Sequence, residues 1–287
     1  MASTELAKRL RSKTFTLGPG VFDMISTRIA DSMGFDCLYM TGYGAVASSL
    51  GLPDAGLATY SDMVGVVERI CSIAKTPLIA DGDTGYGGLL NMRHTVRGYE
   101  KAGASGIQIE DQEFPKKCGH TPGRRVIPAE DMVRKLRVAS DARDSGDFLI
   151  IARTDARTSL GMDEALRRME SYAKAGADVL FVESPESEAE MERICRNFDQ
   201  PCMANMVEGG RTPVLTADKL RAIGYSFAIF PATGFLAVGA ALRSVYSVLR
   251  EKGSTAGIDL PLHDFMEFSK LMGFEDVWAF EKKYAEI

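Results

Sequence analysis

The chain predicts an α/β protein built as a closed (β/α)8 barrel of the TIM type, on three observations. Eight short apolar runs recur along the 287 residues, at 15–17, 37–40, 77–80, 106–109, 148–152, 179–182, 202–204 and 227–230. They lack clean polar alternation, as strands buried on both faces do in parallel sheets. Segments with helical spacing separate them, among them 91–101, 129–143, 162–174 and 216–223. Finally, Lys-Ala-Gly-Ala occurs at 101–104 and again at 174–177, each copy closing a helix ahead of a strand. Closure is favoured over an open doubly wound sheet, because no Gly-x-Gly-x-x-Gly follows the first strand.

Taken in order, the first ten residues lack an apolar signal core and read as a surface helix. Ser61, Asn91 and Thr216 are the expected helix N-caps. Residues 234–252 form the eighth barrel helix, and 262–272 and 275–285 are additional helices beyond a flexible joint at 253–257. Residues 1–287 are thus expected to make a single barrel domain with a helical extension from about 254. Such extra helices are expected to pack on a partner subunit.

Composition narrows the function classes. Apolar residues make up 45% and charged residues 25%, a balance that supports a sizeable core. A net charge of −5 and no basic strip argue against a nucleic-acid partner. No apolar run approaches the ~20 residues that span a bilayer. The five cysteines are odd in number and widely spaced, which reads as reduced thiols in a cytoplasmic protein.

In a barrel the C-terminal ends of all strands share one mouth. The residues there are Tyr39 and Thr41-Gly42-Tyr43-Gly44, then Asp81-Gly82-Asp83, Glu110-Asp111, Arg153-Thr154-Asp155, Glu183 and Asn205. Asp81, Asp83, Glu110, Arg153, Glu183 and Asn205 are therefore expected to converge. Carboxylates crowded together need a cation between them. Oxygen-only ligands indicate Mg²⁺, with Mn²⁺ as a substitute. Helix capping or lysine pairing would account for any one of these acids, but not for the series.

The segment after Glu110 sets Cys118 and His120 beside Lys116 and Lys117. Neighbouring cations lower a thiol's pKa. The loop from 113 to about 126 is a candidate lid that would carry Cys118 to a substrate. The plainer alternative makes the cysteine accidental and His120 a surface residue.

Together these segments resemble the isocitrate lyase/phosphoenolpyruvate mutase superfamily. Lys116-Lys117-Cys118-Gly119-His120 is similar to the signature of its carbon–carbon lyase branch. Tyr39-Met40-Thr41-Gly42, residues 50–54, residues 81–87, Ile109-Glu110-Asp111-Gln112, residues 152–155 and residues 204–208 match in order across nearly the whole chain. The resemblance implies a (β/α)8 barrel, Mg²⁺ dependence and a homotetramer, a dimer of dimers, that exchanges C-terminal helices. It implies that Asp81 ligates the metal directly while Asp54, Asp83 and Glu110 hold its waters. Thr41, Gly42 and Tyr43 would bind a pyruvate-like carboxylate together with Arg153. Glu183, Asn205, Gly119 and His120 would line the rest of the pocket. Cys118 would protonate a carbanion, with Tyr39, Lys116 and His120 assisting proton movement and Glu183 and Arg153 completing the catalytic set.

The implied substrate is a small organic acid, a substituted malate or methylisocitrate cleaved to pyruvate plus a carboxylic acid. Met206-Val207-Glu208 replaces a Ser-Pro-Ser pattern and disfavours isocitrate. Thr41-Gly42-Tyr43 in place of Ser-Gly-Gly points to the dimethylmalate-cleaving and oxaloacetate-cleaving members. Gln108 stands where many lyases of the group carry histidine. Three alternatives are oxaloacetate hydrolysis, phosphorus–carbon mutase chemistry and an inactive binding barrel. Cys118 argues against the mutase, whose rearrangement has no carbanion to protonate, and the intact acids argue against the inactive barrel.

Overall fold

The computed structural model describes residues 2–119, 121 and 123–285. The chain falls into two compact units, Met1–Gly234 and Phe235–Ile287. In the first unit, β1 (Thr16–Val21), β2 (Leu38–Met40), β3 (Leu78–Asp81) and β4 (Gly106–Glu110) come first in the chain. They are followed by β5 (Leu149–Thr154), β6 (Val179–Val182), β7 (Met203–Asn205) and β8 (Phe227–Phe230). All pair in parallel, in the order β6-β5-β4-β3-β2-β1-β8-β7. The ends of that order, β6 and β7, meet through the Leu180–Cys202 bridge, with Leu180 N–H donating to Pro201 O at 2.9 Å. The sheet is thus a nearly closed barrel ringed by helices.

Side-chain alternation divides the core in two, because successive strand residues face opposite sides. Tyr39, Ile79, Ile151, Phe181, Met203 and Phe227 fill the barrel interior. Their neighbours Met40, Ala80, Ile107, Ala152, Leu180 and Ala228 face the surrounding helices. The same parity, carried past each strand's last residue, decides which polar groups reach the mouth.

Several expectations need correction. The N-terminal helix Thr4–Arg11 is not a surface helix: Leu6, Ala7 and Leu10 are buried in the cluster that fills the barrel interior. Thr4 Oγ1 donates to Asp147 Oδ2 at 2.6 Å and Arg11 pairs with Asp178, at the N-terminal ends of β5 and β6. The helix therefore plugs the end opposite the mouth, and burying the two leucines contributes about 1.5–3 kcal/mol each. Thr59, not Ser61, caps helix Tyr60–Ile73. Gly88 precedes helix Leu89–Lys101, and Asn91 sits inside its first turn, accepting the Gly88 N–H at 3.2 Å. Thr216 caps helix Ala217–Ile223 as expected. β1 runs on through Gly18-Pro19-Gly20, which has no strand-like composition. A Cβ on Gly20 would lie 2.5 Å from Pro231 O, so the contact between β1 and the end of β8 requires glycine there.

The second unit contains helices Phe265–Leu271 and Phe274–Tyr284 and most of helix Thr233–Lys252, none with a buried residue. Large apolar side chains stand exposed on it, including Leu242, Tyr246, Phe265, Trp278 and Phe280. No helix among the described residues is long and apolar enough to cross a membrane.

Candidate active site

Inward parity brings Asp81, Glu110, Arg153, Glu183 and Asn205 to one end of the barrel, all buried. They sort into two halves. The acidic half starts at Asp81, whose Oδ1 accepts Asp83 N–H at 3.0 Å and Gln108 Nε2 at 3.3 Å. Its other oxygen lies against Gly42, where any Cβ would collide with it. Asp83 takes a left-handed backbone conformation (φ 48°) and is tied to β4 through Glu110 N–H donating to its carbonyl at 2.9 Å. Lys116 Nζ enters this cluster, 2.6 Å from Asp83 Oδ1 and also in contact with Asp54 Oδ1. Tyr39 OH donates to Gln108 Oε1 at 2.7 Å, so Gln108 links the phenol to Asp81.

Burial is the main force on these groups. It raises the Asp81 and Glu110 carboxyls above the ordinary range and lifts Asp83 to about 6, against the pull of Lys116 and, for Asp81 and Glu110, Arg153. Tyr39 is pushed well up by burial and then by Asp81. Burial opposes the charge on Lys116, but the surrounding carboxylates outweigh it and keep the lysine protonated.

The second half is built on Arg153. Its Nε and Nη2 donate to Asp155 at 2.9 and 3.0 Å, and it lies 3.4 Å from both Glu110 and Glu183. Its guanidinium sits over Phe181, 5.3 Å from the ring centroid. Asn205 Nδ2 donates to Glu183 Oε2 at 3.1 Å, and Ser184 N–H donates to Glu183 Oε1 at 2.8 Å.

The loop expected as a lid lies across both halves. Gln112 clamps its start, donating to Lys117 O and accepting Lys117 N–H, both at 2.9 Å. Cys118 is half-buried, with its N–H on Asp54 O at 3.2 Å. Gly119 accepts from Ser184 Oγ at 3.1 Å and lies so close to Arg153 and Glu183 that a Cβ would be 3.0 Å from the Glu183 carboxyl carbon. Thr41 is buried and precedes helix Gly42–Leu50 without a side-chain capping bond. Tyr43 is 41% exposed in that helix's first turn. His120 lies outside the described residues.

Asp111 departs from the expected strand-end acid pair. One residue beyond Glu110, it faces outward, accepting from Thr154 Oγ1 at 2.7 Å, Tyr172 OH at 2.8 Å and Arg168 Nη1 at 3.0 Å. It is a buried structural carboxylate behind the mouth.

Among the described residues, no three acidic, histidine or cysteine side chains converge into a ready-made metal cage. The donor set nonetheless fits a hard cation held partly through water. Asp81, Asp83 and Glu110 offer only oxygen, and Glu110 Oε1 is buried with no hydrogen-bond partner among the described residues.

Sequence reasoning missed Arg124 and the role of Asp155. Asp155 shares the inward parity of Arg153, a usable signal. Arg124 is one of several cations in a loop, and nothing in its spacing names a partner.

The phosphoenolpyruvate phosphomutase family model matches residues 6–249. A 2,3-dimethylmalate lyase of Eubacterium barkeri is 45% identical over 99% of this chain and 98% of its own length. A 2-methylisocitrate lyase of Aeropyrum pernix is 41% identical over 98% of this chain and 90% of its own. The structure of an oxaloacetate acetylhydrolase bound to 3,3-difluorooxalacetate superposes with a TM-score of 0.90 at 32% identity, covering 98% of this chain and 96% of that one. With the barrel, the mouth and these matches in agreement, the chain belongs to the phosphoenolpyruvate mutase/isocitrate lyase superfamily.

Proposed function

We propose that the protein is a Mg²⁺-dependent carbon–carbon lyase that cleaves a 2-hydroxy dicarboxylate of the 2,3-dimethylmalate or 2-methylisocitrate type to pyruvate and a carboxylic acid. The observation that carries this reading is the seat of the Lys116–Gly119 segment. Lys116 reaches the acidic half and Gly119 packs on the arginine half, with the Cys118 thiol-bearing residue between them.

Asp81 is the proposed direct ligand, and Asp54, Asp83 and Glu110 would hold the ion's waters. When bound, the ion would supply positive charge against the carboxylate and hydroxyl of a 2-hydroxy acid, acidifying the hydroxyl. Arg153 and the N-terminal end of helix Gly42–Leu50, which has no side-chain cap, receive the substrate carboxylate, with Thr41 and Tyr43 beside it. The hydroxyl proton passes to the surrounding buried carboxylates, which lie in reach of the substrate's hydroxyl end. The C2–C3 bond breaks, C2 becomes the carbonyl of pyruvate, and the electron pair stays on C3 beside the distal carboxylate. Cys118 delivers its S–H proton to C3, and solvent returns a proton to the thiolate. Tyr39, Lys116 and His120 assist these transfers, and Glu183 and Asn205 line the pocket.

The exposed apolar faces of the second unit support a homotetramer in which those helices cover another copy, because patches of that kind mark interfaces. None of the five cysteines is in a disulfide, as suits a reducing cytoplasm. Oxaloacetate hydrolysis to oxalate and acetate is the second reading, favoured by the superposition on the acetylhydrolase. Incubation with Mg²⁺ and a panel of 2,3-dimethylmalate, 2-methylisocitrate, isocitrate, citramalate, oxaloacetate and phosphonopyruvate separates the readings. Pyruvate from the first or second compound supports the lyase. Oxalate from oxaloacetate, without pyruvate from either of those acids, replaces it with the hydrolase.

A further inference from the structure

Arg124 lies on the same loop as Cys118, and its side chain is fully buried. Its Nη1 is 2.5 Å from Asp155 Oδ1, and its Nη2 donates to Thr158 Oγ1 at 2.8 Å. Asp155 Oδ1 also accepts from Arg153 Nη2 at 3.0 Å, so one carboxylate oxygen serves both guanidiniums. The backbone fixes this carboxylate as well, through Asp155 N–H donating to Asp111 Oδ1 at 2.9 Å. Arg124 Nε is buried with no hydrogen-bond partner among the described residues. A guanidinium buried with one N–H unsatisfied is a poor way to anchor a loop, since a well-packed apolar side chain would be at least as stabilising. Its burial against the carboxylate that holds Arg153 points to the site.

We propose that Arg124 is a positioning residue that shares Asp155 with Arg153, and so couples the seat of the Cys118 loop to the orientation of the substrate-binding guanidinium and to how far Asp155 neutralises it. This rests on the functional reading above, in which Arg153 receives the substrate carboxylate. With Asp155 alone, Arg153 would be neutralised by a bidentate partner. Glu110 and Glu183 also stand against Arg153, and Arg124 offsets the Asp155 charge, so that carboxylate neutralises less of the Arg153 charge when an anion arrives. The 3.4 Å separations from Glu110 and Glu183 are too long for strong hydrogen bonds and leave Arg153 able to turn N–H groups to a ligand. Since Cys118 and Arg124 belong to one loop, the same seating that holds the acid also holds the support of Arg153.

The test uses Arg124→Met, Arg124→Lys and, as a control, Thr158→Ala, with two readouts that need no turnover. One is the affinity for oxalate in the presence of Mg²⁺, measured by calorimetry. The other is the rate at which iodoacetamide alkylates Cys118, followed on its peptide by mass spectrometry. Arg124→Met is expected to weaken oxalate about tenfold or more and to speed alkylation by about as much, since a charge-assisted fork is lost. Arg124→Lys keeps the charge without the fork and should fall between, about threefold in each. Thr158→Ala should change both less than twofold. Oxalate affinity in Arg124→Met within twofold of wild type overturns the proposal, whether or not alkylation changes, because a mere loop anchor would alter the thiol alone. Should Arg124→Met fail to fold, Arg124→Lys carries the same comparison. Should the wild-type protein take no oxalate, the functional reading falls, and equal alkylation rates in wild type and variants would still overturn the coupling.

Discussion

The two halves of the mouth solve opposite electrostatic problems. Around Lys116, the carboxyls of Asp81, Asp83 and Glu110 are forced upward by burial, and one lysine does not satisfy them. Around Arg153, burial pushes Asp155 the same way, yet Arg153 and Arg124 outweigh it and hold that carboxyl below its ordinary range. The acidic half lacks positive charge and is ready for a cation. In the arginine half, Arg153 and Arg124 offset Asp155 and Glu183, which leaves the Arg153 guanidinium as the group that can meet an anion. Under the proposed function, a 2-hydroxy acid chelated to a divalent ion would meet both needs at once, with the Cys118 loop between them.

The strongest way to break this comparison is to remove the acidic half's central oxygen donor. Asp81→Ala is expected to reduce Mg²⁺-dependent lyase turnover to background, while full activity of the wild type in EDTA would refute the metal assignment. Next comes Cys118→Ser, expected to cut turnover by about a hundredfold or more, the usual scale for a positioned acid. Mg²⁺ affinity by calorimetry should be unchanged in that variant, and unchanged turnover would remove the thiol from the chemistry.

Lys116→Met sharpens the cation argument without a substrate. Removing the one lysine from a buried cluster should destabilise the metal-free protein by about 3–5 kcal/mol. Added Mg²⁺ should restore much of the melting temperature, and a variant that melts like wild type without Mg²⁺ would contradict the reading. The smallest expected effect concerns pH. A carboxyl raised on folding, such as Asp83 at about 6, contributes stability below its unfolded pKa of about 3.9 and loses it as pH rises through 6. Asp155, lowered on folding, contributes above about 3.9 and loses that contribution only as pH falls further. Melts between pH 4.5 and 7.5 without divalent ions should therefore flatten by a few degrees in Asp83→Asn but keep their slope in Asp155→Asn.

Much of this was legible in the sequence because a parallel barrel writes its strands as apolar runs and its mouth as the residues that end them. β6 and β8 match their runs residue for residue. β1 was cut short because Gly18-Pro19-Gly20 serves a close backbone approach and carries no apolar pattern. Parity also separates Glu110 from Asp111, which adjacency alone had joined. The N-terminal helix hid its role because Leu6 and Leu10 would equally suit a helix lying on a surface. Arg124 was invisible for a different reason: its partner Asp155 is distant in the chain, and only the folded loop brings them together.

The central claim is that this mouth cleaves a carbon–carbon bond and protonates the departing carbon. The direct measurement is the reaction of 2,3-dimethylmalate with Mg²⁺ in heavy water, following pyruvate by lactate dehydrogenase and propionate by NMR. The account predicts equal amounts of both products and one solvent deuterium at C2 of propionate, with turnover lost in Cys118→Ser. No pyruvate from the wild-type enzyme, or equal turnover from the serine variant, would contradict it.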